Sequence, residues 1–173
     1  MGRGKVSYTY RLMSDVVEVL LEAHAAVRQM LVFAESLAGV SATEDGRRLA
    51  EQVADFVEWL MPLHRADEDE SIHPRLAGKL GAVDESLRQM ERQHFALEAP
   101  LARLRLVARA IATDVSRLHA LRFEVEASAS ALRVLLEEHM ALEESLVFPA
   151  LKRLLYVDEL ESIEVEMRQR RVA

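Results

Sequence analysis

The sequence predicts an all-α fold, an antiparallel up-down-up-down four-helix bundle followed by a short C-terminal helix. Three observations predict it. Apolar residues recur at helical spacing along most of the 173 residues. Gly and Pro number only 6 and 4, so long segments run without a breaker. The pattern His-x3-Glu-x5-Pro occurs twice, as His64, Glu68, Pro74 and as His139, Glu143, Pro149. Each copy follows a lone mid-helix histidine, His24 and His94, so the chain reads as two similar helical hairpins.

The elements follow in order. Ser14 and Asp15 suit a helix start, and Val16, Val17, Leu20, Val27, Leu31 and Ala34 mark the apolar stripe of a first helix ending near Gly39. Ser41 and Glu44 have the spacing of a capping box, which opens a second helix. Its expected stripe is Leu49, Val53, Phe56, Leu60 and Leu63, with Pro74 and the Gly78–Gly81 stretch closing it. A third helix is expected from Asp84 to about Ala112, with Pro100 inside it expected to kink it. Thr113 to Ser116 is the turn before a fourth helix, which carries Leu132, Leu135, Leu136 and Leu142 and ends near Leu155. A last helix, Asp158 to Arg170, lines up Leu160, Ile163 and Met167. The expected organisation is an N-terminal arm over 1–14, the bundle over 15–155 and a C-terminal helix over 156–173. Short connections make successive long helices antiparallel neighbours.

Composition narrows the chemistry. Half of the residues are apolar and 29% are charged, enough for one packed core. Cysteine is absent, which removes disulfides, thiolate metal sites and cysteine nucleophiles. The net charge of −7 opposes binding to nucleic acid or anionic lipid. No apolar run approaches the ~18 residues of a membrane span. The N-terminus lacks the apolar stretch of a signal peptide, and Val6 stands where a myristoylation signal after Gly2 needs Ser or Thr. The expectation is a cytoplasmic protein with no membrane or nucleic-acid partner.

The candidate site rests on helical geometry. Side chains four residues apart share a helix face, so His64 with Glu68, and His139 with Glu143, each aim two donors at one point. His24 and His94 lie in apolar stripes of their helices. Four histidines and two glutamates would meet midway along an antiparallel bundle. A buried carboxylate is costly without a partner, and divalent cations supply one. Three of the six histidines begin a His-x3-Glu (His64, His94 and His139), more than chance supplies. Glu98, the third such glutamate, stays open between a further ligand and a solvated helix residue. The plain alternative is a metal-free structural bundle. Ferritin-like sites use Glu-x2-His, and Glu70 with His73 and Glu91 with His94 match that spacing. The fourth helix fails it, because Leu136 stands where His139 would need a Glu.

Other residues read more plainly. His73 is expected at a helix end and His119 on the surface. Asp67, Asp69, Glu70, Glu137, Glu138 and Glu144 read as a solvated face. Trp59 and Phe95 are expected in the core, with the lining of a metal pocket as the alternative. The C-terminal helix is expected to pack on the bundle, its apolar edge being the alternative contact for a homodimer.

The order His24, His64-x3-Glu68, His94, His139-x3-Glu143, with Glu143-Glu-Ser-Leu-Val-Phe-Pro149 on the fourth helix, resembles the hemerythrin-like family, the HHE cation-binding domain. The resemblance covers roughly residues 15–155. It implies a non-haem di-iron centre with His24 and His64 on one iron, His94 and His139 on the other, and Glu68 and Glu143 bridging. Manganese or zinc would also suit such donors. Oxygen carriers of the family place His-x3-His on the third helix and His followed by Asp on the fourth; here stand His94-x3-Glu98 and Glu143. The pattern is closer to bacterial members linked to repair of iron–sulfur clusters and to iron or oxygen sensing. Members of the repair group usually carry an added N-terminal cysteine-bearing domain, and cysteine is absent from this sequence.

Three functions follow as expectations. The first is a binding protein for dioxygen, nitric oxide or iron itself, in iron handling or redox sensing. The second is a di-iron enzyme acting on peroxide or oxygen. The third is a metal-free bundle. A third carboxylate at Glu98 would favour ferric iron and argues against a long-lived dioxygen carrier.

Overall fold

The computed structural model describes residues 15–172. Among them are five helices and no strand. Helix α1 spans Val16–Leu37. Helix α2 is one continuous rod over 44–76. Helix α3 spans Gly81–Thr113. Helix α4 covers 115–154, starting as a 3-10 turn at Val115–Arg117. Helix α5 spans Val157–Arg170. The 1–14 arm, with Ser14 and Gly2, lies outside the described residues.

The helix ends have local causes. Asp15 caps α1, its Oδ1 accepting from the Val17 amide at 3.0 Å. The capping box expected at Ser41 and Glu44 does not form. Thr43 is the residue before α2, and its backbone turns back on Ser41 instead. Gly78 follows α2 with φ +76°, a left-handed backbone that glycine adopts without cost.

Three prolines shape the rods. Helix α2 widens into π-helical turns at Phe56–Leu60 and Asp67–Ile72, and α4 does so at Glu143–Val147. Each widened stretch ends on a residue directly before a proline: Met61 before Pro62, His73 before Pro74, Phe148 before Pro149. Proline has no N–H and its ring crowds the carbonyl four residues back. The preceding amide therefore reaches five residues back, as His73 does to the Glu68 carbonyl and Phe148 to that of Glu143. The repeated Glu-x5-Pro spacing is thus the sequence mark of a widened turn that begins at, or one residue before, the glutamate.

The first widened turn also corrects the expected stripe of α2. It adds a residue to the local period, so burial runs Val53, Val57, Met61, His64, Glu68, Ile72. Leu60, expected inside, is 49% exposed, and Trp59 beside it is 68% exposed. Phe95, also expected in the core, is 77% exposed. The buried face of α3 runs Met90, His94, Leu97 and leaves Phe95 on the far side.

Cross-helix pairs give the directions. Arg28 meets Glu144 and Glu35 meets Arg133, so α1 and α4 run antiparallel. His94 meets His139 and Arg103 meets Glu124, which sets α3 against α4. Arg65 meets Glu98 and Asp55 meets Arg109, which sets α2 against α3. The interior contains two apolar cores. One holds Val27, Leu31, Val53, Leu104 and Leu132. The other holds Leu20, Ile72, Met90, Val147 and Ile163. Along α1, α2, α3 and α4 the polar residues fall between these cores, so a His/Glu layer divides the bundle. Each fully buried Leu or Ile contributes roughly 1.5–3 kcal/mol, so apolar packing on both sides holds a layer that is itself costly to bury. Helix α5 turns Ile163 and Met167 onto the second core, so that edge is not free for a second copy. No described helix is long and apolar enough to cross a membrane.

Candidate metal centre

The six residues singled out in the sequence as a metal set come together in the divided layer, each buried. They form two groups that share a member. His24, His64, Glu68 and Glu143 make one, and Glu68, His94 and His139 the other; within each group the ligand atoms lie within 4.8 Å of one another. Glu68 spans both. Its Oε1 is 2.9 Å from His64 Nε2, and its Oε2 is 2.8 Å from His94 Nε2 and 3.6 Å from His139 Nε2. Glu143 Oε2 is 2.9 Å from His24 Nε2 and 3.6 Å from His139 Nε2. The widened turns place these glutamates: Glu68 is second in one of them and Glu143 first in the other.

The charges at the site are unusual. Burial pulls the His64 imidazole down, but the Glu68 carboxylate, with Glu143 and Asp67, overcomes it and raises the pKa to about 9. His94 follows the same balance, with Asp69 and Glu68 raising it to about 9. Burial works to raise Glu68, yet His64, His139 and His94 hold it well below the usual carboxylate range. Glu143 is pushed up by burial and by the adjacent Glu68 charge. Protons on imidazoles thus stand in part where cations would neutralise the carboxylates.

Two further observations fit metal ions. Glu143 Oε1 is buried and carries no hydrogen bond among the described residues, a cost that coordination removes. The donors are imidazole nitrogens and carboxylate oxygens, the set that suits iron, manganese and zinc.

Three of the four opposite ring nitrogens are held from behind, and His64 Nδ1 is buried without a hydrogen bond among the described residues. His24 Nδ1 lies 2.8 Å from Glu144 Oε1, which Arg28 also contacts at 3.0 Å. His94 Nδ1 lies 3.2 Å from Asp69 Oδ1, and His139 Nδ1 lies 3.3 Å from Gln93 Oε1. Such partners orient imidazole ligands. Asp69 and Glu144, expected on a solvated face, instead contact the His94 and His24 rings. Asp67 departs further. It is fully buried, held by Arg170 and Arg171. The signal that could have found it is the Arg-Arg pair ending the last helix.

The remaining candidates fall outside the cluster. Glu98 is 54% exposed at its side chain and accepts from Arg65 Nη1 at 3.2 Å. The buried face of α3 steps from His94 to Leu97, three residues on, and so passes Glu98 by. His73 is half-buried and stacks on His94 with ring centroids 6.1 Å apart. His119 is exposed, as are Glu70 and Glu91 of the ferritin-like pattern.

One side of the site is open. A cavity of about 540 Å³ is floored by His64, Glu68, His94 and His139 and walled by Val57, Leu97, Leu101 and Leu136. Trp59, Arg65 and Arg105 also line it. His24 and Glu143 are not among its lining residues. The group of Glu68, His94 and His139 therefore faces a path for small molecules, while His24 lies closed behind Phe148, 5.1 Å between ring centroids.

A search of curated proteins finds no match to the chain. A family model does match: the hemerythrin HHE cation binding domain, over residues 15–151. That match covers α1, α2, α3 and α4 as far as Leu151, with every residue of the buried His/Glu layer, and the chain belongs to the hemerythrin HHE cation-binding family.

Proposed function

We propose that the chain holds two iron ions in the divided layer and uses them in iron handling or in sensing oxygen, nitric oxide or redox state. His24 and His64 would hold one ion, His94 and His139 the other, and Glu68 and Glu143 would bridge. The observation that carries this reading is the pose of Glu68, whose two oxygens face histidines of two different groups at 2.9 and 2.8 Å. When bound, the metal pair would supply one-electron chemistry and affinity for small oxygen or nitrogen ligands. The chain's own part is different. Asp69, Gln93 and Glu144 orient the imidazoles, the two apolar cores exclude bulk water from the layer, and the cavity admits a ligand on one side only.

A second reading, a di-iron enzyme acting on peroxide or oxygen, is favoured by the same cavity, which reaches the group of Glu68, His94 and His139. Reconstitution with ferrous iron without oxygen, then admission of nitric oxide, dioxygen or peroxide under an absorption spectrum, separates the two. Stoichiometric spectral change with no turnover supports sensing or handling. Continuous consumption of peroxide supports the enzyme. A spectrum that responds to none of them rejects both.

A further inference from the structure

The cavity is far larger than a diatomic ligand requires. It measures about 540 Å³, whereas one water needs only about 10–15 Å³ of such space, and volumes of roughly 300–1,000 Å³ characterise sites for small organic molecules. Its walls are apolar at Val57, Met61, Leu97, Leu101 and Leu136. Besides the histidines of the floor, four charged residues line it: Glu58, Arg65, Glu68 and Arg105. Three of them are spoken for. Glu58 is bound by Arg109, with Oε2 2.5 Å from Nη2. Arg65 is bound to Asp69 and Glu98 at 3.1 and 3.2 Å. Glu68 belongs to the histidine layer at the floor. Arg105 has no ion pair among the described residues.

We propose that this cavity binds an aliphatic monocarboxylate, its carboxylate on the Arg105 guanidinium and its apolar chain running inward over Leu101 and Leu97 toward the floor. The orientation follows from pairing. At the floor His64 and His94 already face the Glu68 carboxylate at 2.9 and 2.8 Å, whereas the unpaired Arg105 offers the planar donor fork that matches a carboxylate. The length follows from the helix. His94, Leu97, Leu101 and Arg105 lie along one face of α3, and eleven residues at 1.5 Å rise span about 16 Å, which suits an extended chain and not a compact polar metabolite. The inference goes beyond the reading of the metal pair and does not depend on which ion the layer holds.

Trp59 is the chain's one tryptophan and lines this cavity, so its emission reports occupancy directly. The full-length protein is titrated with decanoate and, separately, with decanol. The expected result is a saturable change in Trp59 emission with decanoate. Arg105→Gln should weaken decanoate by about tenfold, the effect of losing one charge-assisted contact, and leave decanol unchanged. Ala102→Phe, which fills the cavity from an exposed position, should weaken both. No saturable response to decanoate overturns the proposal. So does equal binding of decanoate by the parent and the Arg105→Gln protein, or decanoate binding that Ala102→Phe leaves intact.

Discussion

Arg171 grips both carboxylate oxygens of Asp67, with Nη2 2.6 Å from Oδ2 and Nη1 3.3 Å from Oδ1. Arg170 adds a contact to Oδ1 at 3.0 Å. The end of α5 is thereby fastened to the residue preceding Glu68, the carboxylate shared by both donor groups. Asp67 is fully buried, so removing its cations leaves an uncompensated charge. Replacing Arg170 and Arg171 together by Ala should destabilise the protein by about 3–5 kcal/mol. Asp67→Asn should cost less, because the arginines it releases are partly solvated. Urea denaturation midpoints check both, and a double variant as stable as the parent would contradict this role.

Glu98 gives the cleanest test of a point that sequence spacing left open. Its side chain pairs with Arg65 at the surface, so Glu98→His should leave metal content and reduction potential as they are in the parent. A potential shifted upward would mean that the carboxylate reaches the metal in solution. With Glu98 paired to Arg65 outside the cluster, no third carboxylate stands against a dioxygen carrier.

Much of the molecule was legible in the sequence for definable reasons. The stripe of α1 reads correctly, because an unbroken α-helix keeps a 3.6-residue period from Val16 to Ala34. The convergence of His24, His64, Glu68, His94, His139 and Glu143 reads from i,i+4 pairs on antiparallel helices. What failed to read depends on departures from that period or on distant contacts. The widened turn before Pro62 shifts burial from Leu60 to Met61 and turns Trp59 outward. Asp67 looks like one more acid in a charged run until Arg170 and Arg171, more than a hundred residues on, are brought against it. The cavity beside His94 and His139 arises from side chains on three helices, and no local pattern encodes it.

The two-group arrangement predicts unequal consequences of single substitutions. His94→Ala should leave about one metal per chain, since it belongs to one group; His24→Ala should do the same for the other. Glu68→Ala should lose both, because it belongs to both groups. Metal analysis after anaerobic ferrous reconstitution reads the counts. Equal losses from all three variants would speak against two distinct positions.

The histidine pKa values predict opposite pH trends for the metal-free and metal-bound forms. His64 and His94 are raised from 6.5 to about 9 in the folded protein. Their contribution to stability is fully present below about pH 6.5 and is lost as pH rises through about 9. The metal-free protein should therefore show a falling Tm across that window. Metal requires neutral imidazoles, so binding near pH 7.5 should release protons and tighten as pH rises toward 9. Thermal melts with and without metal, and proton release followed with an indicator dye in weak buffer, check the signs. A metal-free Tm that rises from pH 6.5 to 9 would contradict the assignment.

The central claim is that one buried layer holds two ions joined by Glu68 and Glu143. The most direct measurement is iron content with Mössbauer spectroscopy on anaerobically reconstituted and then oxidised protein, for the parent and for the Glu68→Ala/Glu143→Ala double variant. The account predicts two irons per chain in the parent, magnetically coupled so that the ferric pair is diamagnetic at low temperature, and no stoichiometric iron in the double variant. Uncoupled irons in the parent, or two irons retained without the glutamates, would contradict it.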